Sequence, residues 1–279
     1  MTRPFRQVDV FATGGTHGNP VAVVHEAEGL TTEEMLRFTE WTNLSEATFL
    51  LPPTDPDADY RVRIFCPGRE LPFAGHPTLG TCRAWLDAGG TPIDPDRVVQ
   101  ECGAGLIPIR RTGDRLAFAA PPCSRFGPVD PDDLAQRLDL LGISPDQVVD
   151  AHWVDNGPGW MAILLASADE VLGVVPPAGS HADFDVGLVG PAAPGSDADL
   201  EIRAFFPDAS GSIREDPVTG SLNASVAQWL TSTGRIETPY VAAQGTVLGR
   251  VGRIHVEASD GEVWIGGDTT VTVSGSVTL

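Results

Sequence analysis

In the stretch RELPFAGHPTLG a histidine, His76, stands between a glycine and a proline, after an alternating apolar run and before a helix-like pattern. A second stretch, IRAFFPDASGSIREDPVTGSLNA, brings a carboxylate, Asp216, to the same kind of junction, again directly before proline. An imidazole and a carboxylate are groups that can take a proton and return it. Each also has a plain structural reading: His76 as a buried ring satisfied by a neighbour, Asp216 as the cap of a helix. Pro77 suits the first turn of a helix, where its missing N–H costs nothing. His76 is therefore expected at the N-cap or beside it, since a residue before proline is biased away from helical geometry.

The elements that must position these residues repeat. FRQVDVFAT and VAVVHE read as strands around the turn GGTHGNP. LTTEEMLRFTEWTN opens a helix, with Thr31 and Glu34 spaced as a capping box and Leu30 placed to staple on Met35. ATFLL and YRVRIFC read as further strands. Leu79, Cys82 and Leu86 then recur at helical spacing until DAGG. Laid without a gap over VRIFCPGRELPFAGHPTLGTCRA, the later stretch matches Arg63 with Arg203, Pro67 with Pro207, His76 with Asp216 and Gly80 with Gly220, an offset of 140 residues. PVAVV and WMAIL meet at the same offset. Two similar α+β domains are expected, residues 1–126 and 127–279, joined near the Pro/Asp-rich GPVDPDD. The closing TTVTVSGSVTL reads as a hairpin able to pack on either half.

Composition removes several classes of chemistry. All 18 basic residues are arginine, so a lysine-anchored pyridoxal phosphate and a standard P-loop are excluded. No dinucleotide fingerprint, HExxH or compact His/Cys/Asp cluster points to a cofactor or a metal. The formal charge of −20 argues against nucleic-acid or anionic-membrane partners. The four cysteines show no CxxC spacing and suit a reducing cytosol. MTRPFRQVDVF lacks the apolar core of a signal peptide, and no apolar run approaches membrane-spanning length. A cytoplasmic protein is expected.

The segments VDVFATGGTHGNPVAVV, TNLSEATFLL, YRVRIFCPGRELPFAGHPTLG, REDPVTGSL and QGTVLGRVGRI occur in the order found in the PhzF-like family of phenazine biosynthesis, which the chain resembles over nearly its whole length. The resemblance implies the diaminopimelate-epimerase-like fold. In that fold two similar domains each roll a sheet into a barrel around a central helix, with a cleft between them and the last strand able to return to the first domain. It also implies a catalytic carboxylate at Glu46 of SEATF, with His76 and Asp216 facing the same cleft and Ser221 near the substrate carboxylate. Glu46 otherwise reads as a solvated charge, and Ser221 as an ordinary helix residue. Asn19 of GNP reads as a turn residue that is also a candidate to touch substrate. The epimerase relatives carry two facing thiols, and the matching positions here are Ala74 and Thr219, which cannot take a carbon-bound proton.

These residues suit proton movement without a cofactor. Helix N-termini supply N–H donors for a substrate carboxylate, and Gly75 and Gly220 leave room for close backbone approach. The expected function is an isomerase acting on a small cyclic or conjugated carboxylic acid. Glu46 is the expected general acid/base, with His76 and Asp216 orienting substrate and tuning it. The family's named member isomerises a dihydro-hydroxyanthranilate ring, and family likeness suggests a homodimer. An epimerase or racemase using oxygen bases, and a non-catalytic metabolite-binding protein, remain as alternatives.

Overall fold

The opening alternation folds as β1 (Thr2–Val10) and returns antiparallel as β2 (Asn19–Val24), with Val8 opposite Val21. The computed structural model describes residues 1–12, 14–179, 181, 183–208 and 210–279. Helix α1 (Thr32–Thr42) starts at the capping box, with Thr31 receiving the Glu34 amide, and stops at Asn43 in the left-handed conformation. Leu30 packs on the cluster that contains Met35. The helix carries the chain across to β3 (Glu46–Leu51), parallel to β2 with Val21 opposite Glu46. Then β4 (Tyr60–Cys66) runs antiparallel to β3, and a tight hairpin adds β5 (Arg69–Leu71).

Helix α2 (Gly75–Asp87) follows, and it is apolar and buried on nearly all sides, as a helix inside a rolled sheet must be. It touches β1, β2 and β3, together with β6 (Arg97–Cys102) and β8 (Arg115–Ala119), which flank β7 (Gly105–Thr112). The approach is close enough to require glycine at position 80, where a Cβ would lie 2.2 Å from Val21 Cγ1.

The second unit repeats this order after its own entry elements, β9 (Arg125–Pro128) and α3 (Pro131–Leu141). Antiparallel β10 (Val148–Asp155) and β11 (Met161–Leu165) lead through α4 (Ala168–Gly173) to β12 (Val186–Pro191), which is parallel to β11. β13 (Leu200–Pro207) and the short β14 (Ile213–Asp216) deliver the chain to a second buried helix, α5 (Gly220–Ser232). β15 (Tyr240–Gln244) pairs parallel with β13, as β6 does with β4, and antiparallel with β16 (Gly252–Ser259). Two strands remain, β17 (Glu262–Gly267) and β18 (Thr269–Thr278), and β18 pairs antiparallel with β1 from Thr2↔Thr278 to Val10↔Thr269.

Four details depart from the sequence reading. The compact units are residues 1–119 with 266–279, and residues 120–265, so the division comes before residue 126. The Pro/Asp-rich segment is not a linker: Pro128 pairs with His152, and Asp130 caps α3 by accepting the Asp132 amide, with Pro131 at the first helical position. The closing segment is one strand rather than a hairpin, because Ser274 and Gly275 pair with Arg6 and Phe5 instead of turning.

The gap-free overlay also fails beyond Pro207. Two residues join β4 to β5, whereas five, Asp208–Ser212, join β13 to β14. The Asp208 carboxylate organises the longer turn by accepting the Ser210 and Ser212 amides. Arg63 pairs with Glu70 and Arg203 with Glu215, so an offset of 140 before the turn becomes 145 after it. Helix α2 therefore corresponds to α5 with Ala74 on Thr219, Gly75 on Gly220 and His76 on Ser221. His76 and Asp216 are not equivalent positions. Nor is either an N-cap: Ala74 and Thr219 are, and His76 is the second residue of its helix.

Candidate active site

In the first unit the turn before β2 is fixed by Asp9, a buried carboxylate at the end of β1. It accepts the backbone amides of His17 at 3.0 Å and Gly18 at 2.9 Å. A Cβ on Gly18 would lie 2.0 Å from the Val10 carbonyl oxygen, so this close return also demands glycine. The clamp delivers Asn19 to the first position of β2, where its Nδ2 lies 3.4 Å from His76 Nδ1. The other ring nitrogen, Nε2, lies 3.3 Å from Glu46 Oε2, at the start of the neighbouring strand β3. Parallel pairing of β2 with β3 and the start of α2 thus assemble Asn19, Glu46 and His76.

His76 is 4% exposed, and burial pushes its pKa down to about 3, with a Pro20 carbonyl working weakly the other way. The ring is therefore neutral at ordinary pH, and its contact with Glu46 is not a salt bridge. Nor are the two atoms aligned as a hydrogen bond, despite the short separation. Asn19 Nδ2 faces Nδ1, and the tautomer of the ring sets which nitrogen carries the proton. A carboxyl group beside a neutral imidazole is an arrangement suited to holding and passing one proton.

In the second unit Asp216 ends β14, and its carboxylate accepts the Thr219 hydroxyl at 2.5 Å. That hydroxyl also receives Gln244 Nε2 at 2.9 Å, while Gln244 Oε1 accepts the Thr219 amide and Asn223 Nδ2. Gly220 and Ser221 are the first two residues of α5, where the amides of any helix lack intrahelical acceptors. Ser221 Oγ accepts Trp160 Nε1–H at 3.1 Å, and its carbonyl accepts Asn156 Nδ2 at 2.8 Å. Gly75 holds the corresponding first position in α2.

The candidate residues thus fall into two local groups, Asn19, Glu46, Gly75 and His76 in one unit, and Asp216, Gly220 and Ser221 in the other. Sequence reasoning passed over Asp9, Trp160, Asn156 and Gln244. The signal for one of them was present: Asp9 stands next to the end of β1 and precedes a glycine-containing turn, as Asp155 does at the end of β10. Among the described residues no group of three or more His, Cys, Asp or Glu side chains is placed to hold a metal ion. Among the same residues no helix is long and apolar enough to cross a membrane.

The family described as phenazine biosynthesis-like protein matches residues 8–279. The chain belongs to it. The trans-2,3-dihydro-3-hydroxyanthranilate isomerase of Pseudomonas aeruginosa is 35% identical, over 90% of this chain and 88% of that protein. Antisense-enhancing sequence 1 of Schizosaccharomyces pombe is 34% identical over 97% of each. Among solved structures, a protein described as a predicted epimerase from Pseudomonas aeruginosa aligns with a TM-score of 0.81 at 25% identity, covering 99% of both chains. The chain is an isomerase of this family with the diaminopimelate-epimerase-like α+β fold, and the non-catalytic alternative falls away.

Proposed function

We infer that this isomerase moves a carbon-bound proton on a small cyclic or conjugated carboxylic acid, without a cofactor, using Glu46 as general acid/base. The observation that carries the reading is the Glu46 carboxyl group 3.3 Å from a buried, neutral His76. In the proposed step Glu46 takes a proton from a substrate carbon. The bonding pair moves into the adjacent conjugated system, and Glu46 returns the proton to a different carbon. Nothing is oxidised or reduced, so no further reactant is required. His76 orients substrate and holds Glu46 in place, and Asp216 is the second carboxyl group assigned to the chemistry. Gly75, Gly220 and Ser221 are the residues assigned to substrate binding, with the Ser221 hydroxyl, in the N-terminal turn of α5, on the substrate carboxylate. Asn19 acts by orienting His76.

Trans-2,3-dihydro-3-hydroxyanthranilate, the substrate in the name of the Pseudomonas aeruginosa relative, is the first compound to test. Glu46→Gln keeps size and removes the proton acceptor. It should lower turnover by roughly two to four orders of magnitude, the range expected for lost general acid/base catalysis. Solvent deuterium entering the substrate as fast in Glu46→Gln as in the unaltered protein would refute the assignment.

A further inference from the structure

Ser221 can donate one hydrogen bond through its hydroxyl proton and accept on its lone pairs, so which way it acts toward a ligand depends on its neighbours. Trp160 Nε1–H is a donor only, and it points at Ser221 Oγ from 3.1 Å. That contact takes a lone pair and leaves the hydroxyl proton to point elsewhere. The helix does not absorb the proton either. At the second helical position the carbonyls three and four residues back, those of Val218 and Pro217, lie before the helix starts.

The donor is rigid. Trp160 is 3% exposed, and the turn that carries it is tied by Asp155 Oδ1, which accepts the Gly157 and Gly159 amides, both at 2.7 Å. Gly157 at φ 140° and Gly159 at φ 102° provide the backbone freedom this turn needs. The same turn sends Asn156 Nδ2 to the Ser221 carbonyl at 2.8 Å, so two side chains from one clamp converge on one residue.

The first unit is built the same way. Asp9 ties the turn before β2, and the residue entering β2, Asn19, directs Nδ2 at His76, the second residue of α2. Asp155 ties the turn before β11, and the residue just ahead of β11, Trp160, one place after the position that matches Asn19, directs Nε1 at Ser221, the second residue of α5. Each unit thus has an aspartate-clamped donor that orients the side chain at one fixed place on its central helix. The side chain oriented is an imidazole in one unit and a hydroxyl in the other.

We propose that Trp160 is a positioning residue that holds the Ser221 hydroxyl as a hydrogen-bond donor toward the substrate carboxylate, a role like that of Asn19 toward His76 taken from a neighbouring position. The proposal rests on the reading of Ser221 as a carboxylate-binding residue. Trp160→Phe keeps most of the ring and removes the N–H.

The test compares the unaltered protein, Trp160→Phe, Ser221→Ala and the double variant. Affinity for benzoate is measured by calorimetry, and kcat and KM with trans-2,3-dihydro-3-hydroxyanthranilate. Ser221→Ala should weaken benzoate binding roughly tenfold, the scale of losing a hydrogen bond to a charged group. Trp160→Phe should raise Kd and KM by about threefold, a part of that loss, with kcat within about twofold. The double variant should match Ser221→Ala alone.

If Ser221→Ala weakens binding but Trp160→Phe does nothing, adds its full effect in the double variant, or lowers kcat and leaves KM unchanged, the positioning role is wrong while the reading of Ser221 stands. If Ser221→Ala leaves benzoate affinity unchanged, the reading of Ser221 fails and the proposal falls with it. Indole N–H signals of the otherwise unaltered protein give a second measurement should Trp160→Phe not fold. One signal should shift in Ser221→Ala, and benzoate should move it in the unaltered protein. If no indole signal responds to Ser221→Ala, the proposal is overturned.

Discussion

Acidification offers a direct test of the neutral His76 on which the proposed chemistry depends. Its pKa is pushed down from 6.5 to about 3 in the folded protein by burial. Between these values the unfolded chain binds a proton at His76 that the folded protein does not, so stability falls as pH drops through this window. From pH 6.5 to pH 5 the loss accumulates at about 1.4 kcal/mol per pH unit, or about 2 kcal/mol from this one ring. His25, with its pKa lowered to about 4 chiefly by burial and then by Arg6, adds a slope of the same sign. The two are separated by His76→Gln, which removes one titrating ring and keeps a polar side chain at position 76. Urea unfolding at pH 8, 6.5 and 5 should show the difference between unaltered protein and variant shrinking by about 2 kcal/mol toward pH 5. Comparing slopes cancels any constant cost of the substitution. Parallel pH profiles would refute the argument, for they would mean that His76 binds its proton equally in folded and unfolded states. The contact with Glu46 would then be an ion pair.

Other outcomes follow from particular contacts. Arg203→Ala should destabilise by about 3–5 kcal/mol, because it strands Glu215, paired at 2.7 Å with side chains 1% and 6% exposed. The corresponding Arg63→Ala should cost under about 1 kcal/mol in the same urea titration, since that pair is 27% and 40% exposed. Gly80→Ala should destabilise by roughly 1–3 kcal/mol, because its Cβ would press on Val21 and on Val10 Cγ2 at 3.1 Å; an unchanged melting temperature would contradict the packing argument. Dialysis against a chelator should leave turnover unchanged, and turnover restored only by added metal would overturn the cofactor-free reading.

Local chemistry was the legible part of the fold. The Thr31/Glu34 box, the alternation of β4 and the apolar face of α2 are written within a few residues of one another, and each marks its own element. The internal correspondence was legible only up to Pro207. Five extra residues, three in the turn held by Asp208 and one on each flanking strand, shift everything after them, while coincident prolines and glycines on either side kept the ungapped overlay attractive. The closing strand misled because Ser-Gly inside an alternating run is also a turn signal. Its pairing with β1, almost the whole chain away, decides otherwise. In the site, Glu46 became visible only through family likeness, since its neighbour His76 is 30 residues distant in sequence. Trp160 and Ser221 are separated by 61 residues, and nothing local to either joins them.

The two buried helices start alike and differ where the chemistry lies. Both N-caps lack a usable base: Ala74 carries no polar atom, and the Thr219 hydroxyl is committed to Asp216 as donor and to Gln244 as acceptor. At the next position but one, the first unit presents an imidazole beside a carboxyl group, whereas the second presents a hydroxyl held by an indole. The asymmetry supports the proposal of a single proton-carrying group, Glu46. That arrangement suits moving a proton along a conjugated system rather than inverting a single carbon. Product analysis in deuterium oxide tests the point: label should appear at a new carbon. Label only at the original carbon, with inverted configuration, would refute the isomerisation mechanism and return the oxygen-base epimerase.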